Sequence, residues 1–93
     1  MGRYKLIIGK EAQKHLLLIK RSGNKSDITK IENIFEELQS NPEVGIGNPE
    51  KLKHELSGFW SRRLNSKDRI IYKIDELSVI VMIVSAKGHY FDK

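Results

Sequence analysis

The apolar residues of this chain change their spacing once, and that change limits the folds open to it. In the first part they recur every three or four residues, as on one side of a helix (Ala12, Leu16 and Ile19, then Ile28, Ile31 and Ile34). After the proline- and glycine-containing segment 41–50 they form short runs typical of strands. The last run, Val79–Val84, is unbroken and suits a central strand covered by helices on at least one face. The pattern predicts an α+β fold.

The predicted order is β-α-α-β-β-β-β, a helical hairpin packed on a mostly antiparallel sheet. Residues 1–93 should form a single domain, since the chain is short. Ser26 or Asp27 is expected to cap the second helix, and Asn41-Pro42 to end it. The predicted strands cover 4–8, 52–56, 59–64, 69–74 and 79–84, and the predicted helices cover 10–21 and about 26–40.

The composition indicates a cytoplasmic protein without disulfides. There are no cysteines, which excludes disulfides and thiolate metal sites and fits a reducing cytosol. The N-terminus lacks the features of a signal peptide, and no apolar run approaches the roughly 20 residues that a membrane span needs. Three scattered histidines without an HExxH motif argue against a metal site. We therefore expect no metal, no cofactor and no membrane association.

The positive charge is concentrated in residues 51–73. This segment holds seven Lys or Arg against two acids, whereas the rest of the chain is neutral overall. Such a block suits nucleic acid, an anionic membrane surface or an acidic protein segment. A solvated surface is the commoner meaning of a charge block, and composition does not choose among these readings.

The predicted hairpin sets the direction of these cations. If Ser66–Asp68 is a three-residue turn, Asn65 lies opposite Arg69. One face then carries Arg63, Asn65, Arg69, Ile71 and Lys73. The other face then carries Trp60, Arg62, Leu64, Ile70, Tyr72 and Ile74. A four-residue turn would reverse Arg69 relative to Arg63. The first register is preferred because it separates cations from bulky apolar groups.

Several side chains near the block could handle a phosphate. Glu50 and His89 are suited to general base and general acid roles, and Arg63, Arg69 and Lys53 could stabilise negative charge. Tyr90 could stack on a base. The plainer readings are a surface histidine near the C-terminus and a Phe59-Trp60 pair in the core.

Four stretches resemble one family of bacterial toxins. They are GNPEKLKH (47–54), LSGFWSRR (56–63), DRIIY (68–72) and GHY (88–90). Together they resemble the Txe/YoeB family of the RelE/ParE superfamily over about half of the chain. The resemblance implies the toxin of a type II toxin–antitoxin pair, a ribosome-dependent endoribonuclease that cleaves mRNA in the A site. The RNA's own 2′-OH attacks, leaving a 2′,3′-cyclic phosphate, without metal.

The resemblance also implies a role for each matched residue. Glu50 looks like the general base, His89 like the general acid, and Arg69 like the group that stabilises the scissile phosphate. Arg63 and Lys53 would bind the RNA backbone, and Tyr90 would position the nucleotide. Phe59 and Trp60 would lie inside and hold the block. The chain departs from many relatives at its end, where Phe91-Asp92-Lys93 follow the His-Tyr pair, and at Gly88, where some relatives carry larger groups.

The implied partners are a cognate antitoxin, the ribosome and mRNA. The antitoxin would carry an acidic segment that folds on the basic face. Cations on the first helix are candidates for docking to ribosomal RNA: Lys10, Lys14, Lys20 and Arg21. Relatives often form homodimers, a state that this sequence leaves open. Two alternatives remain, a ParE-like toxin that poisons DNA gyrase by binding and a basic RNA- or ribosome-binding module without catalysis.

Overall fold

Two helices lie on one face of a five-stranded sheet in the computed structural model, which describes residues 4–84. The strand order is β1-β5-β4-β3-β2, with only the β1–β5 pair parallel. The α+β fold and the mostly antiparallel sheet are therefore confirmed. The elements are β1 Lys5–Ile8, α1 Lys10–Ser22, α2 Lys25–Ser40, β2 Glu50–Lys51, a 3-10 helix His54–Leu56, β3 Phe59–Arg63, β4 Arg69–Asp75 and β5 Ser78–Ile83.

The core lies between the helices and one face of the sheet. Strand β5 pairs with β1 on one side and β4 on the other, and its Val79 and Val81 are fully buried. The unbroken apolar run thus forms an interior strand, as predicted. The core cluster consists of Ala12, Ile31, Ile34, Leu38, Leu64, Ile70, Tyr72, Val79, Val81 and Val84.

The buried faces of the helices match the predicted apolar stripes, but α2 begins at a different cap. Asn24, rather than Ser26 or Asp27, caps α2: its Oδ1 accepts a hydrogen bond from the Asp27 N–H at 3.1 Å. The helix begins at Lys25, so this bond satisfies a first-turn donor that no helical carbonyl can reach. In residues 4–84, neither helix has the length and apolar character to cross a membrane.

The strand predicted at 52–56 is wrong. Strand β2 contains only Glu50 and Lys51, and a 3-10 helix follows at His54–Leu56. The chain reverses here to pair β2 with β3, and His54 (φ 60°) and Gly58 (φ 94°) take the left-handed conformations that the reversal needs. An extended run of five residues cannot make this reversal.

The β3–β4 register differs from the prediction by two residues. Arg63, rather than Asn65, lies opposite Arg69. Asn65 belongs to the loop, where its Oδ1 accepts from the backbone N–H of Lys67 and of Asp68 at 2.8 and 2.7 Å. Because side chains alternate with a period of two, this shift leaves the two predicted faces unchanged.

The cap can be tested with two neighbouring substitutions. Asn24→Ala should lower the free energy of unfolding by about 1 kcal/mol, because it removes the acceptor for the Asp27 N–H. Ser26→Ala, the matched control, should change it by less than about 0.5 kcal/mol. Urea denaturation measures both. Equal losses in the two variants would contradict the assignment of Asn24 as the cap.

Candidate functional site

The sheet face away from the helices, here called the distal face, carries most of the predicted site. Because β2 and β4 both pair with β3, the register fixes which side chains share it. Its members on these strands are Glu50, Phe59, Ser61, Arg63, Arg69, Ile71 and Lys73.

Glu50 begins a row of residues that crosses four strands. It lies opposite Ser61 in β3, which lies opposite Ile71 in β4, which lies opposite Ile83 in β5. Ser61 and Ile71 are each 1% exposed, whereas Glu50 is exposed at the β2 end. The carboxylate therefore faces solvent beside a buried floor.

Two arginines lie in the next row. Arg63 and Arg69 are directly opposite each other, which places their Cβ atoms about 4.5–5.5 Å apart. Arg63 is the diagonal neighbour of Glu50, at about 7–8 Å in such a sheet. Like charges directly opposite each other destabilise a sheet, so an anion placed over this pair would gain from both.

The strand register does not fix the positions of the other predicted site residues, Lys53, His89 and Tyr90. Lys53 lies two residues past β2, is exposed and precedes the 3-10 helix, so the strand register does not assign its side chain to a face. His89 and Tyr90 lie outside the described residues. Within residues 4–84, Glu50, Lys53 and Arg63 form no side-chain hydrogen bond or ion pair.

Phe59 and Trp60 occupy opposite faces, which corrects the prediction that both lie inside. Trp60 is half-buried and packs against the core, as expected. Phe59 is half-buried on the distal face, opposite Lys73. Neighbouring residues of one strand point to opposite faces, so one core cannot take both rings.

Arg62 belongs to the 51–73 block but faces the core, as the predicted register placed it. It is 0% exposed on the helix-covered face, where it forms an ion pair with Glu37 of α2. Its guanidinium also donates to the carbonyls of Val44 (2.8 Å), Ile46 (3.2 Å) and Asn41 (3.3 Å). One cation of the block is thus internal, which the whole-segment charge count could not show.

Tyr72 completes this internal network. Its hydroxyl accepts from Arg62 Nε at 3.3 Å and donates to the Pro42 carbonyl at 2.6 Å. Burial raises the pKa of Tyr72, with the neighbouring Arg62 acting in the opposite direction. The tyrosine is therefore a neutral donor at physiological pH.

The sequence contained a signal for this network. The predicted register had already placed Arg62 on the apolar face, and a buried guanidinium needs a carboxylate and several acceptors. Glu37 adjoins the buried Leu38 in α2 and could have been named as the partner. The carbonyl acceptors could not, because they depend on the conformation of the loop.

The first helix keeps its cations at the surface. Lys10, Lys14, Lys20 and Arg21 are all exposed, and Lys14 lies 3.7 Å from Glu11 in an ion pair within the helix. His15, in contrast, is half-buried and its Nδ1 accepts from the Val84 N–H at 3.2 Å. His15 therefore has a structural contact, and His54 is exposed.

Comparison with known proteins points to one group. Residues 10–90 match the family model described as a YoeB-like toxin of a bacterial type II toxin–antitoxin system. The chain is 39% identical over 67 residues to toxin YoeB of Escherichia coli O6:H1, covering 72% of this chain and 77% of that protein.

Solved structures agree with the sequence matches. The YoeB dimer of Staphylococcus aureus superposes with a TM-score of 0.79 at 27% identity, covering 90% of this chain and 97% of that one. A heterotetrameric YoeB–YefM toxin–antitoxin complex from the same organism gives 0.78 at 27% identity, with the same coverage.

The raised pKa of Tyr72 has a consequence at high pH. Above about pH 10 the unfolded tyrosine ionises while the folded one stays protonated, so the unfolded state binds fewer protons. The free energy of unfolding should then fall with pH, by at most about 1.4 kcal/mol per unit from this group. Below pH 10 the contribution is fully present.

Tyr72→Phe isolates this effect. The variant should be less stable at pH 8 by about 1–3 kcal/mol, since the Pro42 carbonyl and Arg62 Nε lose a partner. From pH 10 to 11 the stability gap to the wild-type protein should narrow, because other titrating groups are common to both. Urea denaturation at each pH measures the gap, and a constant gap would contradict the shift.

Proposed function

This chain belongs to the YoeB-like toxin family of bacterial type II toxin–antitoxin systems, and from that membership we propose that it is a ribosome-dependent endoribonuclease acting on mRNA in the A site. The observation that carries the proposal is the distal face. There an exposed carboxylate, Glu50, adjoins the cross-strand Arg63–Arg69 pair above the buried Ser61–Ile71 floor. The ribosomal substrate implies a cytoplasmic protein.

The proposed chemistry is transesterification by the RNA itself. Glu50 removes the 2′-OH proton, the 2′ oxygen attacks the neighbouring phosphorus, and the bond to the 5′ oxygen breaks. His89 gives a proton to that leaving oxygen, and Arg69 stabilises the charge on the phosphate. The products are a 2′,3′-cyclic phosphate and a free 5′-OH, formed without metal or cofactor. Arg63 and Lys53 bind the backbone, and Tyr90 positions the nucleotide.

The chain is long enough to bring His89 to this face. Glu50 and Ile83 end the same row, so about three strand spacings, roughly 14 Å, separate them. His89 comes six positions after Ile83, and six extended residues reach about 20 Å. A general acid from the tail can therefore meet a general base from β2 across one phosphate.

The proposed partners follow from relatives of known assembly. A Staphylococcus aureus relative forms a YoeB–YefM complex, and one is a dimer. We propose a cognate antitoxin whose acidic segment folds over the distal face and occludes Glu50 or His89, and a homodimer of this chain. Carboxylates suit the Arg63–Arg69 pair for the same reason that phosphate does.

The catalytic roles can be tested by primer extension on an mRNA translated in a purified bacterial system. Wild-type protein should cut within the A-site codon only when ribosomes are present. Glu50→Gln and His89→Gln should slow the cut by about 10²–10⁴-fold while ribosome binding survives. Glu55→Gln, which removes a nearby exposed charge in the 3-10 helix rather than on a strand of the distal face, is the matched control and should cut normally.

An uncut message would change the assignment. If wild-type protein stalls translation without cutting, or leaves it untouched, a binding function is favoured, and a DNA gyrase supercoiling assay becomes the next measurement. Joint loss of ribosome binding and toxicity in Glu50→Gln would likewise favour a binder.

The nucleophile can be tested separately. An mRNA with one 2′-deoxynucleotide on the 5′ side of the scissile phosphate should remain uncut, because the attacking oxygen is absent. The same substitution two nucleotides away should leave cleavage intact. Cleavage at an unchanged position in the deoxy message would contradict 2′-OH attack.

A further inference from the structure

Arg62 binds one loop at several points at once. Three of its acceptors are carbonyls of Asn41, Val44 and Ile46, all in the segment 41–49 that links α2 to β2. A guanidinium carries five N–H donors in a rigid fork, so it can hold acceptors that lie in different directions. A lysine ammonium offers three donors at one point and cannot span the same set.

Two further residues hold the same loop to the same guanidinium. The Tyr72 hydroxyl contacts Arg62 and donates to the Pro42 carbonyl, and Glu37 Oε1 pairs with Arg62 and accepts from the Ile46 N–H at 3.0 Å. Gly45 leaves room for this arrangement, since a Cβ there would collide with the Glu37 carboxylate and lie 2.9 Å from Arg62 Nη1. The loop is thus fixed at its middle.

The fixed loop leads directly to Glu50. The Gly47 carbonyl accepts from the Arg63 N–H at 2.6 Å, and Glu50 follows three residues later. Strand β2 has only two residues and lies at the sheet edge, so its own pairing with β3 restrains it weakly. The position of the Glu50 carboxylate therefore depends on the conformation of the 41–49 loop.

We propose that Arg62 is a positioning residue, which fixes the 41–49 loop and thereby sets Glu50 against Arg63 and Arg69. Its part in catalysis rests on the proposed nuclease function, whereas its part in placing Glu50 does not. Adjacent arginines then have opposite roles: Arg62 holds the general base from inside, and Arg63 faces the substrate.

The placement of Glu50 by Arg62 can be tested without substrate. In Arg62→Lys and Tyr72→Phe, the N–H groups of Ile46 and Arg63 should exchange with deuterium at least tenfold faster, and the NMR contact between Glu50 and Ser61 should weaken. Val79→Ala is the control, because it opens the same core in β5 without touching the loop. Unchanged loop exchange in both test variants would overturn the proposal. Tyr72→Phe, which keeps the charge pair, decides the question if Arg62→Lys does not fold.

The catalytic consequence is tested by separating kcat from KM at a temperature where every variant is folded. Arg62→Lys and Tyr72→Phe should each lower kcat for A-site cleavage at least tenfold, since a displacement of a catalytic group by about 1 Å can lower the rate 10²-fold. KM for ribosomes should change less than about threefold, because the exposed cations remain. Val79→Ala should keep wild-type kcat. If the network only stabilised the fold, Arg62→Lys and Tyr72→Phe would keep wild-type kcat as well.

The outcomes separate the two ideas. A loosened loop with unchanged kcat would overturn the part of Arg62 in catalysis while leaving the nuclease intact. A wild-type protein that cuts no message would overturn the proposed function, and the exchange and NMR measurements would still decide whether Arg62 places Glu50.

Discussion

One buried guanidinium, that of Arg62, joins three elements of the fold. Removing an ion from water costs several kcal/mol, and the cost is offset only when its charge and its donors are all matched. Here the acceptors come from α2, β4 and the loop between α2 and β2. No buried side-chain nitrogen or oxygen in the described residues lacks a partner. Losing one member of such a pair typically costs about 3–5 kcal/mol, so the three elements are held as one unit.

Strand alternation explains how so small a protein combines a core with a charged surface. Residues 60 and 62 of β3 point into the core and residues 61 and 63 point away from it, so one five-residue strand serves both purposes. The same alternation continues through β4, where Tyr72 joins the internal network and Ile71 forms the floor of the distal face. A surface site built this way takes its rigidity from the packing directly beneath it.

Sequence periodicity predicted the helices and both faces of the hairpin, because these depend on local spacing. Even a register wrong by two residues gave the right faces, since the error equalled the strand period. The short β2 and the carbonyl partners of Arg62 depend on how separate segments meet, whereas the Asn24 cap is local and was missed because Ser26 and Asp27 offer the same capping chemistry. Charge counting misled for the same reason: it treats Arg62 and Arg63 alike, although one faces Glu37 and the other the distal face.

The Arg63–Arg69 pair places two positive charges side by side on the distal face. Two guanidinium groups directly opposite each other on a sheet repel each other. An anion over both arginines relieves that repulsion, and the gain does not depend on whether its oxygens belong to RNA phosphate or to antitoxin carboxylates. Under the proposed function, the two ligands therefore compete for one source of binding energy. Inhibition by the antitoxin then needs no change in the toxin's fold, only occupancy of the face that the Arg62 network holds in place.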